Sequence, residues 1–501
     1  MSMRWFGMRW YGVMTLAVLL TVPAGASGAS AAPAVDWQPC PTEQAPTKQC
    51  GFLTVARDYD HPAAGTVRIA LARIPATGPA SQRIGSLVWD AGGPGGASTQ
   101  MVDSIVGRMS AQVRARFDFV AFDPRGIGSS RPALRNCDEP WPVRPAGTPL
   151  PSWSRAVQRS ATVLRRANRE CLASNRRIAQ VMGTNAVVND LDRIRAALGD
   201  RQLTFWATSY GTRIGYVYAL RYPHRVRAMV LDGSIDPSGG YAALPAVGGT
   251  SQEKALNFIR RHDRPVYRAA IRTAASLTAA PVDLGGGQRF DRWDWLDVVA
   301  DVVAFQSTWA QLPLYADLVQ QAREPQGAQA RAALAQAKAR PNSSAGGGFS
   351  VVNCLDYPQR LSRERQVALT RRNARTAPVL GGSLTLAFAI GCSGLNGLEP
   401  DPVPLVRTAQ QRARLAGVPV VLANATQDGS TPMAWARRMQ KAFDRPMIRY
   451  RSGQHVIWGA TTSACVNKPL DRFVLHVRIP ARSRTCPYVP SEVSASSARL
   501  G

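Results

Sequence analysis

The chain has no C-x-x-C pair and no H-E-x-x-H spacing anywhere in its 501 residues. A structural zinc or a zincin-type metal hydrolase therefore has no ligand set, and no metal or other cofactor is expected. No G-K-[ST] step follows a glycine loop, which removes a phosphate-cradling nucleotide site. The glycine runs that do occur lack dinucleotide-binding spacing and a ribose-binding acid. Long apolar runs are absent except near the N-terminus, where 13–22 is too short to span a membrane. Histidine is scarce, with five in all: His61, His224, His262, His455 and His476. Internal repeats are lacking. Carboxylates are few, 33 Asp and Glu against 61 Lys and Arg, which leaves a net charge of +28.

That excess suggests nucleic acid or an anionic surface as partner. The arginines, however, are scattered and are not gathered into one basic run with interleaved aromatics. They read as a solvated face. No nucleic-acid partner is expected, and loose contact with an anionic cell envelope is what remains of the inference.

The N-terminus has the pattern of an export signal. Arg4 and Arg9 precede the apolar run, and Ala29-Ser30-Ala31 offers a cleavage signal before Ala32-Pro33. Residues 1–31 are read as a signal peptide, and the protein as secreted or periplasmic with no membrane span. All eight cysteines follow: Cys40, Cys50, Cys137, Cys171, Cys354, Cys392, Cys465 and Cys486. An even number in an exported chain favours disulfides. Pairing of neighbours in chain order is the expectation.

Apolar strand-like runs occur at 51–55, 67–72, 86–90, 117–122, 203–206, 226–231, 418–423 and 447–450. Between them lie helix-like stretches. Val188, Leu191, Ile194 and Leu198 share one face, and Gly199 offers a C-cap. Strands alternating with helices predict an α/β fold with a mostly parallel sheet flanked by helices. The pattern becomes helical over 251–340, breaks at Pro341-Asn342-Ser343-Ser344-Ala345-Gly346-Gly347-Gly348, and returns near 401. The expected organisation is a core at 32–240, a mainly helical lid at 241–400, a second core segment at 401–490 and a polar tail at 491–501.

Ser209 stands between a strand-like and a helix-like run, in Trp206-Ala207-Thr208-Ser209-Tyr210-Gly211-Thr212. The small residues Ala207 and Gly211, two positions on either side, are what a nucleophile elbow requires. A serine nucleophile needs a base, and the base needs an orienting acid. His455 lies in the loop-like Ser452-Gly453-Gln454-His455-Val456 after the last strand, where a base belongs. His224, at the far end of the helix after the serine, should face away. Asp428 follows a late strand and falls between serine and histidine in chain order, as the acid should. Asp232 and Asp236, at an earlier strand end, compete with it.

A tetrahedral intermediate needs backbone donors for its oxyanion. The Tyr210 N–H is one. The other should come from Gly92-Gly93-Pro94-Gly95-Gly96, with Gly93 chosen and Gly92 second. Asp123-Pro124-Arg125-Gly126 reads as a structural turn beneath the site.

Together these segments resemble the exported tripeptidyl-aminopeptidase-like serine peptidases, which are related to prolyl aminopeptidases and have the α/β-hydrolase fold. The resemblance rests on 92–96, on 122–130, on Thr208-Ser209-Tyr210-Gly211-Thr212-Arg213, and on Gln427-Asp428 before Thr431-Pro432. Asn353-Cys354-Leu355-Asp356 also resembles the family. Three departures stand out: Ala207 replaces the elbow's first glycine, Gln454 a glycine before the histidine, and Leu395 a tryptophan.

The resemblance implies a serine exopeptidase acting through Ser209, Asp428 and His455 on peptides with a free N-terminus. The cationic N-terminus of such a peptide needs an acidic partner, and Asp356 is a candidate. Two rivals remain: a carboxylesterase or lipase with the same machinery, and a non-catalytic cationic envelope-binding protein on a hydrolase fold.

Overall fold

Strand residues alternate between the two faces of a sheet, and here both faces are apolar. On Phe205-Trp206-Ala207, for instance, Phe205 and Ala207 join one buried cluster and Trp206 the other. The computed structural model describes residues 35–41, 47–137, 152–339 and 346–490. The expected signal peptide, the C-terminal tail and the first part of the expected break, 341–345, lie outside the described residues; the glycines expected to end that break instead open helix Gly346–Asp356.

Among the described residues, ten strands make the main sheet: β1 (Gln38–Pro39), β2 (Gln49–Ala56), β3 (Thr66–Ile74), β4 (Gly85–Asp90), β5 (Phe117–Phe122), β6 (Leu203–Thr208), β7 (Val226–Asp232), then β10 (Val420–Ala425), β11 (Met447–Tyr450) and β12 (Arg484–Cys486). The remaining two, β8 (Val282–Gly285) and β9 (Gln288–Phe290), pair as a separate hairpin. The main-sheet order is β1-β2-β3-β5-β4-β6-β7-β10-β11-β12. Pairing is antiparallel from β1 to β5 and parallel from β5 onward. Helices cover both faces. Helix Thr184–Ala197 buries Val188, Leu191 and Ile194 against one cluster, and helix Ala464–His476 buries Val466, Leu470 and Phe473 against the other.

Between β7 and β10 the chain leaves the sheet and forms a block of helices with its own apolar core, including Leu256, Ile259, Trp295, Leu296 and Trp309. The sequence pattern over 251–340 is helical, but the β8–β9 hairpin interrupts it. Val282 and Phe290 bury their side chains there, and Gly285, Gly286 and Gly287 take up positive φ in the turn. His476 closes helix Ala464–His476.

Four disulfides join neighbours in chain order: Cys40–Cys50, Cys137–Cys171, Cys354–Cys392 and Cys465–Cys486. Such bridges persist in oxidising compartments and fit an exported protein. Among the described residues, no helix is long and apolar enough to cross a membrane.

Candidate active site

Three neighbouring strands, β4, β6 and β7, end at the same rim of the sheet. Asp90 pairs with Ala207, and Thr208 with Asp232. One residue beyond β6 the chain turns into helix Gly211–Arg221 at Ser209, whose φ is +55°. A left-handed conformation at a non-glycine residue costs about 1–3 kcal/mol and persists only where its surroundings enforce it. Here Ser209 N–H donates to Asp232 O at 2.9 Å and Thr212 Oγ1 donates to Ser209 O at 2.6 Å. A Cβ on Gly211 would strike Asp90 Oδ1 at 2.7 Å, so the position must stay small. The methyl of Ala207 is accommodated beside Gly215, whose own Cβ would lie 3.4 Å from it.

The glycine loop lies directly on this turn. A Cβ on Gly92 would stand 2.9 Å from Ser209 Cβ and 3.0 Å from Tyr210 N. Asp90 Oδ1 accepts the Gly92 N–H at 2.9 Å, and Gly92 O accepts Gly96 N–H at 3.0 Å. Among the described residues, neither the Tyr210 N–H nor the Gly93 N–H has a protein acceptor. Both residues line a cavity of about 460 Å³ that also receives Ser209 and His455.

His455 Nδ1 lies 2.9 Å from Asp428 Oδ2 and 3.1 Å from Oδ1. Asp428 is itself pinned: Oδ1 accepts Ser430 N–H and Thr431 N–H, both at 2.8 Å, and Oδ2 accepts Thr431 Oγ1 at 2.9 Å. Burial pulls the imidazole pKa down, but the Asp428 carboxylate, by charge and hydrogen bond, and the Asp232 charge outweigh it. They hold the group above its ordinary 6.5. Ser209 and His455 share the cavity wall, although no hydrogen bond joins their side chains among the described residues. The other four histidines lie off this wall; His262, for one, stacks on Phe258 at 3.9 Å.

The competing acids have other partners. Asp232 is fully buried and accepts Ile457 N–H at 3.0 Å and Trp458 N–H at 2.8 Å, holding the chain just after His455. Asp236 accepts from Ser238 and pairs with Arg438. Burial pushes both Asp90 and Asp232 up to about 7. Asp356 does not reach the cavity. Its side chain is enclosed, accepting Thr184 N–H at 2.8 Å, Thr184 Oγ1 at 2.6 Å and Arg213 Nη1 at 2.8 Å. Desolvation raises its pKa, against the Arg213 charge. A side chain saturated in this way has no face left for a substrate amine. The 123–126 turn is equally internal, with Arg125 bonded to Asp190 at 2.5 and 2.7 Å and Asp123 to Thr99 and Ser129.

Two residues on or beside the cavity escaped sequence reading. Gly233, at φ +71°, sits so close to the imidazole that a Cβ would lie 3.0 Å from His455 Cε1. Asp301, on helix Arg292–Ala304, is the single carboxylate on the cavity wall among the described residues. An Asp-Gly pair at the end of β7 was the one available signal for Gly233; nothing local marks Asp301. Among the described residues, no group of three or more His, Cys, Asp or Glu stands close enough to hold a metal.

Residues 92–458 match the model of the α/β hydrolase fold family, and the chain belongs to that family. Among its relatives is the serine protease Hip1 of Mycobacterium tuberculosis, 28% identical over 90% of this chain and 91% of that protein. A tripeptidyl aminopeptidase of Streptomyces lividans is 27% identical over 92% of this chain and 88% of its own length. Carboxylesterase B of Mycobacterium tuberculosis is 28% identical over 91% and 90%. With this fold and these relatives, the chain is a serine hydrolase.

Proposed function

We propose that the protein is an exported serine aminopeptidase in which Ser209, His455 and Asp428 act as a triad. The observation that carries this reading is the His455–Asp428 bond beside a strained, left-handed Ser209 on one cavity. Ser209 Oγ attacks the carbonyl while His455 Nε2 takes its proton. The oxyanion is met by the N–H groups of Tyr210 and Gly93. His455 then gives the proton to the leaving amine, and water hydrolyses the acyl-enzyme by the same route. Asp428 holds the imidazole in the tautomer that leaves Nε2 free to accept.

Relatives named as a serine protease and a tripeptidyl aminopeptidase support peptide substrates. The helical insertion forms one wall of the cavity and acts as the lid that limits access to chain ends. Asp301 supplies the negative charge that a free N-terminus requires, in place of the enclosed Asp356.

A second reading, a carboxylesterase, is favoured by the largely apolar wall and by the relative of that name. Free-amine peptidyl amides, their N-acetylated forms and simple esters separate the two. The aminopeptidase should prefer the free amine at least about tenfold, and Asp301→Asn should raise KM for that series alone. Activity confined to esters, or a preference for blocked amides, would overturn it.

A further inference from the structure

Three large apolar side chains are conspicuously exposed among the described residues: Phe52, Met101 and Phe305. Phe52 is covered by the Arg68 guanidinium at 4.1 Å. The other two, 41% and 40% exposed, both line the cavity. Met101 follows the glycine loop on the core side, whereas Phe305 follows helix Arg292–Ala304 of the insertion.

Phe305 is held in register with the imidazole. Its ring centroid lies 6.1 Å from that of His455. The residues on either side of it are tied to the histidine loop. Ala304 O accepts the His455 N–H at 2.7 Å, and Gln306 N–H donates to Gln454 Oε1 at 2.7 Å, both within the buried interior. Gln306 is anchored further, its Nε2 donating to Tyr488 Oη at 3.2 Å and to Val489 O at 3.0 Å. The Gln454 side chain also explains one departure from the family pattern, because a glycine there would have no acceptor for Gln306. Residues 304–306 thus form a strap fastened at both ends, and the ring between the fastenings projects into the cavity.

An exposed aromatic ring has its largest gain still to make, since covering it removes apolar surface from water. Because the strap is already ordered, little entropy opposes that gain. The surrounding wall, with Trp206, Trp435, Trp458, Phe349 and Phe388, offers the same chemistry. We infer that Phe305 is the specificity-determining residue for the side chain flanking the scissile bond, and that the site takes a bulky apolar, above all aromatic, residue there. This rests on acyl transfer at Ser209, but not on the preference for a free amine.

The test compares substrates carrying Ala, Leu or Phe next to the scissile bond, varied first on the acyl side and then on the leaving side. Free-amine and N-acetylated forms are run in parallel. The wild-type protein should favour Phe over Ala in kcat/KM by about tenfold to a hundredfold in at least one series. Phe305→Ala should reduce that ratio to within about threefold while the Ala substrate keeps its rate. Phe305→Leu should restore most of the ratio. An unchanged ratio in Phe305→Ala, or an equal loss on all substrates, would overturn the inference. Loss of free-amine preference with the Phe305 effect intact would instead sink the aminopeptidase reading alone.

Discussion

Replacing Asp428 with asparagine probes the site at its most constrained point. The two carboxylate oxygens are not equivalent. Oδ1 accepts two backbone N–H groups, from Ser430 and Thr431, and Oδ2 faces His455 Nδ1 at 2.9 Å. An amide at 428 must therefore keep its oxygen at the Oδ1 position, because turning its NH₂ toward two backbone donors would leave both unpaired in the interior. Each unpaired donor costs about 1–3 kcal/mol, so the wrong orientation is disfavoured by about 2–6 kcal/mol. The NH₂ then stands nearer His455 Nδ1 than the amide oxygen does, at the 2.9 Å rather than the 3.1 Å position, which favours that nitrogen as acceptor and places the imidazole proton on Nε2. In that tautomer the ring cannot take the Ser209 proton. We expect kcat to fall by about 10⁴, with KM changed no more than about threefold. Asp428→Ala leaves the tautomer free and should be no worse than Asp428→Asn. Steady-state kinetics with burst analysis on one amide substrate would measure both. Asp428→Asn retaining more than about a tenth of wild-type kcat would refute the assignment of Asp428 as the orienting acid.

Other expectations follow from the same geometry. Because His455 is held above 6.5 and must be neutral to act as base, kcat/KM should rise with pH through an acid limb lying above that value; a limb centred below it would contradict the burial and charge described. Gly233→Ala adds a methyl 3.0 Å from the imidazole at a positive φ, and should lower kcat about tenfold to a hundredfold with little change in KM. The buried carboxyls Asp90 and Asp232 bear on stability. Each is raised from 3.8 to about 7, so the folded state holds a proton that the unfolded state has released. Stability therefore falls as pH rises from about 4 to about 7 and is flat above, by up to about 4 kcal/mol per group. Urea unfolding with disulfides intact should show the difference between pH 5 and pH 8 shrinking by about 3 kcal/mol in Asp232→Asn; an unchanged difference would show that the charge is not the cause.

Local chemistry makes much of this protein legible in its sequence. Strand and helix periods differ, so the apolar runs and the face of Val188, Leu191 and Ile194 announced the alternating core. Crowding at a strand-to-helix turn leaves its imprint in nearby residue size, so Ala207 and Gly211 pointed to Ser209. Scarcity narrowed the proposed base to His455, and chain order in this fold ranked Asp428 above Asp232 as its proposed partner. These are properties that short segments carry alone.

What remained hidden depends on meetings between segments far apart in the chain. Asp356 and Asp301 look alike as isolated carboxylates. Folding closes one against Thr184 and Arg213 and leaves the other on the cavity wall, because burial is a property of the packed whole. Gln454 looked like a simple departure from pattern until Gln306, 148 positions away, proved to need its oxygen. Asp90 and Asp232 likewise look like ordinary strand-end acids in sequence, and only the adjacency of β4, β6 and β7 brings them to the two loops beside Ser209. Periodicity and residue size are written locally, whereas partnership and desolvation arise only when the chain closes on itself.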